Sequence, residues 1–192
     1  MSNINENKIK EEAEKHLLRC RPGDRNHALR VVEWIKELGK NHTDLLLIIT
    51  AGYIHDIGWE GVFPAWKEKI TFDELIQFEK QANNNSMKFA TNFLNDLGFE
   101  DDDIVTINRL IKAADEHKSE KDDEAVIVDA DQLSKMNINH LKEKFKPSEW
   151  MKMHELWFRK FPERIQTEKG KEIYPSLLDK LKNAIEKEIA TT

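Results

Sequence analysis

Residues 45 to 54, LLLIITAGYI, carry no charge, and only Thr50 and Gly52 interrupt their apolar character. A run this short cannot cross a bilayer, which takes about 20 residues of helix. As a helix that is apolar nearly all round, it must instead be wrapped by other parts of the chain. Thr43 is a good N-cap for it. The segments available to wrap it have one-sided apolar faces: Ile9, Ala13 and Leu17 space one stripe, and Ala28, Val31, Val32, Ile35 and Leu38 space another that closes at Gly39. One buried helix among amphipathic ones predicts an all-α fold.

The rest of the chain repeats the pattern. Thr71-Phe72-Asp73-Glu74 has capping-box spacing, and Met87, Ala90, Phe93, Leu94 and Leu97 lead to Gly98 as a stop. Asp101, Asp102 and Asp103 crowd the start of a helix containing Ile104, Ile107, Leu110, Ile111 and Ala114, where acids favour the positive end of the helix dipole. Ala125-Val126-Ile127-Val128 fits a buried strand as well as a helix; we read it as helix. Trp150, Met153, Trp157 and Phe161, then Leu177, Leu178, Leu181 and Ile185, give the last stripes, expected as core. With 192 residues and no Pro/Gly/Ser-rich linker, the simplest organisation is a single domain over residues 1–192.

A net charge of −6 argues against binding a nucleic-acid polymer, which needs a basic face. A single cysteine, Cys20, excludes an internal disulfide framework and fits a reducing compartment. The amino terminus shows no secretory pattern, so a cytoplasmic location with no membrane partner is expected. Nothing in the sequence fixes an oligomeric state.

Ionisable residues stand at the edges of these apolar segments. His27 opens the second stripe, His55-Asp56 ends the all-apolar run, and Asp131 follows residues 125–128. Buried there, each group needs a hydrogen bond, a counter-charge or a metal ion. Two imidazoles and two carboxylates make a plausible metal site. An N/O donor set without thiolate disfavours structural zinc and suits Mn, Fe, Mg, Ni or catalytic Zn. Neighbouring helical residues point about 100° apart, so His55 and Asp56 can share one ion only at a helix end, which Gly58 supplies.

The ordered set His27, His55-Asp56, Asp131, in the contexts Asn26-His27-Ala28-Leu29-Arg30-Val31-Val32, Ile54-His55-Asp56-Ile57-Gly58 and Val128-Asp129-Ala130-Asp131-Gln132-Leu133, resembles the HD-domain metal-dependent phosphohydrolase superfamily. The likeness spans roughly residues 10 to 190, with core motifs in 27–131 and C-terminal helices in 147–190. It is closer to the small stand-alone HD hydrolases, because His117 lies between the pair and the last aspartate. The resemblance implies a helical bundle of the HD-domain type and a divalent ion held by His27, His55, Asp56 and Asp131. It also implies a catalytic role for His55 and Asp56 through metal-activated water that attacks phosphorus. Asp129 would support the ligands from behind. The chain departs from the nucleotidase branch at Trp59, where that branch has glutamate, and from the cyclic-dinucleotide phosphodiesterases in having Trp59 where they have lysine, and too few histidines.

The expected substrate is a phosphorylated small molecule, foremost a nucleotide. Arg30, three residues after His27, could reach its phosphate; otherwise Arg30 makes a surface salt bridge. His117 could donate to phosphate or extend the site to a second ion, or simply end its helix. Trp59, Val62, Phe63, Pro64 and Trp66 could form a lid or a base-stacking surface, or pack in the core. The alternatives to a hydrolase are an HD domain that binds metal or ligand without turnover and a non-hydrolytic di-iron enzyme.

Overall fold

The computed structural model describes residues 4–64 and 67–191. They form nine α-helices: α1 (Glu6–Leu17), α2 (Asp24–Leu38), α3 (Leu45–Ile54), α4 (Phe72–Leu97), α5 (Asp101–Glu116), α6 (Asp122–Lys135), α7 (Ile138–Lys144), α8 (Trp150–Arg164) and α9 (Glu168–Ala190). Short 3-10 turns lie at Ile57–Trp59 and Pro147–Glu149. No strand occurs among the described residues, where extended backbone pairs only at an isolated bridge between Ile70 and Phe145. The fold is all-α, and the ambiguous residues 125–128 are helical within α6.

The all-apolar run forms α3, and every residue from Ile48 to Ile54 is buried. Helices α1, α2, α5 and α6 surround it, as an element without a polar face requires. Thr50, fully buried, satisfies its hydroxyl by donating to the Leu46 carbonyl at 2.7 Å. Thr43 is not the N-cap: α3 starts one residue later, with Asp44 at the cap position, because the chain is turned there rather than extended and offers no side-chain cap bond. The two stripes beginning at Thr71 and Met87 join into one 26-residue helix, opened by the expected Thr71–Glu74 capping box and closed by Gly98 at φ 83°.

Two glycines permit the close approaches around the end of α3. A Cβ on Gly52 would run into Ile35 and Val32, so α2 and α3 pack closely only because this residue has no side chain. A Cβ on Gly58 would strike the Ala82 carbonyl and Ser86, where α4 crosses the turn after α3. These contacts seat the end of α3 against the later turns of α2 and the turn after it against the middle of α4.

A second apolar cluster joins α8 and α9. Trp150, Met153, Trp157 and Phe161 pack with Leu178, Leu181 and Ile185, as the last two stripes predict. In the loop after α3, Trp59, Val62 and Phe63 are buried; Trp66 lies outside the described residues. No helix among the described residues is long and apolar enough to cross a membrane.

Candidate metal centre

Three helices deliver the candidate ligands. His27 comes from the first turn of α2, His55 and Asp56 from the end of α3, and Asp131 from α6. His27, His55 and Asp131 are almost fully buried, and each offers a donor atom within 4.8 Å of the other two. The His27 and His55 Nε2 atoms are 3.2 Å apart, and the Asp131 Oδ1 is 3.1 Å from the first and 3.7 Å from the second. Asp56 adjoins this group, with its Oδ2 3.7 Å from His27 Nε2 and 3.6 Å from His55 Nε2.

The hydrogen bonds behind the rings fix which nitrogen faces the centre. His55 Nδ1 lies 2.9 Å from the Gly52 carbonyl, which only accepts, so this nitrogen carries the proton. The Ser134 hydroxyl donates to the Asp131 carbonyl at 2.8 Å and therefore accepts from His27 Nδ1 at 3.0 Å. Both Nε2 atoms then point lone pairs at each other and at a carboxylate oxygen. Lone pairs at this separation repel unless a cation lies among them, so the donor set fits a divalent ion held by His27, His55 and Asp131, with Asp56 alongside. Burial, then Lys144, holds the His27 imidazole well below its usual range, which keeps it neutral as a ligand must be. Burial opposes the charge on both aspartates, but Arg21 at Asp56 and Lys135 at Asp131 hold both well below the usual carboxylate range.

Around the centre lies a charge network that no local pattern announces. Arg21 donates to Asp56 at 2.6 Å and to Asp24 at 3.1 Å, and its guanidinium stacks 3.8 Å over the Trp59 ring. Lys144, at the end of α7, pairs with Asp24 and lies 3.7 Å from Asp56. Arg21, Asp24 and Lys144 are all buried. Lys135 pairs with the outer oxygen of Asp131 at 2.5 Å, and Gln132 donates to the same oxygen at 2.8 Å.

The cluster sits in a cavity of about 260 Å³ between α4 and α8, room for a small ligand. One wall is apolar, with Phe72 and Leu75 from α4 and Met153, Leu156 and Trp157 from α8. Lys160 and Arg164, one turn apart on α8, also line it, and neither makes an ion pair among the described residues.

Several sequence expectations change here. Arg30 does not line this cavity: its guanidinium is held by Glu143 at 2.9 Å and lines a separate depression. Asp129 does not support the ligands. Its two oxygens accept from the Gln166 and Thr167 amides at 2.8 Å and from the Thr167 hydroxyl at 2.6 Å, fastening the start of α9. That supporting part falls to Ser134 and the Gly52 carbonyl. His117 does line the cavity, at the end of α5 with φ 52°, the one positive φ outside glycine among the described residues, but it stands outside the three-residue cluster. Trp59 is cavity wall and packing rather than an open lid. Buried His140, its ring 4.9 Å from that of His27, was not anticipated. Neither were Arg21, Lys144 and Arg164, whose only sequence signal is basic residues near helix ends.

The HD domain family model matches residues 25–144, which include all four candidate ligands and run from α2 through α7. The chain belongs to the HD domain family. HD domains are associated with divalent metals and metal-dependent hydrolysis, and the His27–His55–Asp131 cluster is of the kind such a site requires. The cavity extends past the matched HD segment, since α8 supplies one wall. Comparison with curated proteins and with solved structures gives no match.

Proposed function

We propose that this HD protein is a metal-dependent phosphohydrolase acting on a phosphorylated small molecule, foremost a nucleotide. The observation that carries the reading is the convergence of two imidazole lone pairs on an aspartate oxygen, with both ring protons committed elsewhere, at the wall of a cavity. A divalent ion bound there, with Asp56 as fourth ligand, supplies a water of lowered pKa and polarises a phosphoryl oxygen.

The chain's own residues divide the remaining work. Ser134 and the Gly52 carbonyl hold the two rings in one tautomer, and Lys135 and Arg21 balance the charges of Asp131 and Asp56. Among the described residues, Lys160 and Arg164 are the cavity cations without an ion pair, able to donate to phosphate oxygens, Arg164 through two parallel bonds. The apolar wall from Phe72 to Trp157 suits a planar base, with Asn83 and Glu79 of α4 in reach of its polar edge. Burial of the centre keeps bulk water away from it.

The test is metal content of the purified protein, followed by phosphate and pyrophosphate release from nucleoside mono-, di- and triphosphates before and after chelation. Turnover should vanish in chelator and return with Mn²⁺ or a similar ion. Undiminished turnover in metal-free protein, or no release from any member of the panel with metal restored, would overturn the proposal.

A further inference from the structure

Among the described residues, the carboxyl groups around the centre are matched with cations, save exposed Glu79 and the partly buried Asp115. Asp56 pairs with Arg21, Asp131 with Lys135, and Asp24 with Lys144. Asp115, in the last turn of α5, lines the same cavity and is hydrogen-bonded to Ser86, yet pairs with no cation among the described residues. The groups facing it from the neighbouring helices are Asp56 at the end of α3, Asp131 of α6 and Glu79 of α4, all acidic, and Lys135 of α6 is committed to Asp131. A half-buried carboxyl set against other acids and paired with no cation is most stable with its proton on. Burial, then Asp56, pushes it up to about 8. A bound ion would offset Asp56 and Asp131, but burial, the larger cause, would remain.

We propose that Asp115 is a catalytic residue of this site, the proton donor to the leaving-group oxygen of a phosphoester. The proposal rests on the phosphohydrolase reading above. In the reaction the water oxygen bonds to phosphorus while the bond from phosphorus to the alcohol oxygen breaks, leaving its electron pair on that oxygen. The Asp115 proton goes to the same oxygen, so the product leaves as an alcohol rather than an alkoxide. The proton released by the water passes to solvent, from which Asp115 regains one. No other cavity residue suits the task as well. Asp56 and Asp131 are held ionised, and burial, then Lys135, pushes His117 down to about 4, leaving it without its acidic proton at neutral pH.

The experiment compares two esters whose leaving groups differ in their need for a proton, nucleoside 5′-monophosphates and p-nitrophenyl phosphate, in wild-type and Asp115→Asn proteins loaded with Mn²⁺. General-acid catalysis is worth about 10²- to 10⁴-fold. Asp115→Asn should therefore lose roughly that factor in kcat/KM on the nucleotide ester and at least tenfold less on the nitrophenyl ester, with metal content unchanged. Asp115→Ser serves if the Asn variant does not fold. Equal losses on both esters, or none on the nucleotide, overturn the assignment of Asp115 and leave the phosphohydrolase reading standing. If the wild type cleaves neither ester, the proposal falls; the wider reading falls with it only if the di- and triphosphates are also inert.

Discussion

The two charged regions flanking the metal centre are built on opposite terms. On the α2–α7 side, Arg21, Asp24, Lys144 and Asp56 form a buried network in which every charge meets an opposite one. On the α8 side, Lys160 and Arg164 line the cavity without an ion pair among the described residues, Arg164 feeling only the more distant Asp131, Glu79 and Glu163. Buried charges left unmatched would cost several kcal/mol each, so the first region must be complete before any ligand arrives. The second region is half-exposed or fully exposed. There a lone cation remains hydrated and costs little. The contrast separates charge that positions the candidate ligands from charge to which the proposed function gives a phosphate.

Both regions depend on the centre between them, and removing it should have the largest effect. Asp131→Ala takes away an anionic ligand and leaves Lys135 unmatched. Metal content, measured by elemental analysis, should fall to background, and turnover by more than about a hundredfold, beyond the usual cost of losing a mere supporting partner. A variant with full metal and full activity would remove Asp131 from the ligand set.

Within the closed network, Lys144→Met should cost about 3–5 kcal/mol in urea unfolding, because Asp24 stays buried with one of its two cations gone. A change under about 1 kcal/mol would mean that the network relaxes freely and does not differ in kind from the rim. Arg164→Gln should do the reverse. Stability and metal content should hold while kcat/KM on the best phosphate substrate falls roughly ten- to a hundredfold, the range of a charge-assisted hydrogen bond of about 1.5–3 kcal/mol. Unaltered kinetics would leave the rim without a phosphate role. The smallest effect belongs to Arg30→Ala. Its partner Glu143 is partly exposed, so stability should move by about 1 kcal/mol or less and kcat/KM by less than about twofold. A large kinetic loss without loss of metal would show that Arg30 turns toward the cavity on binding.

Much of the architecture was legible without coordinates. The periods of three and four residues placed the helices, and the all-apolar run placed α3 at the centre, because helical period and burial are read from near neighbours in sequence. His27, His55, Asp56 and Asp131 stood out because ionisable residues at the edge of apolar helices demand a partner, and three of them do converge. Thr43 misled by one residue, since the cap position depends on backbone angles that residue type only biases.

The sequence by itself thus determined an all-α chain and the residues that a metal would need. Tertiary structure alone decided which charges meet. Arg30 follows His27 by less than one turn, yet the crossing of α2 with α7 turns its guanidinium to Glu143, 113 residues away. Arg21 reaches Asp56 across 35 residues, and Lys144 reaches Asp24 across 120. Asp129 and Asp131, two residues apart, point to different elements, one fastening α9 and the other joining the histidines. An ion pair or a ligand bond acts over a few ångströms, whereas helix crossings move side chains by more than that, so no spacing along the chain could have chosen among these cations and carboxylates.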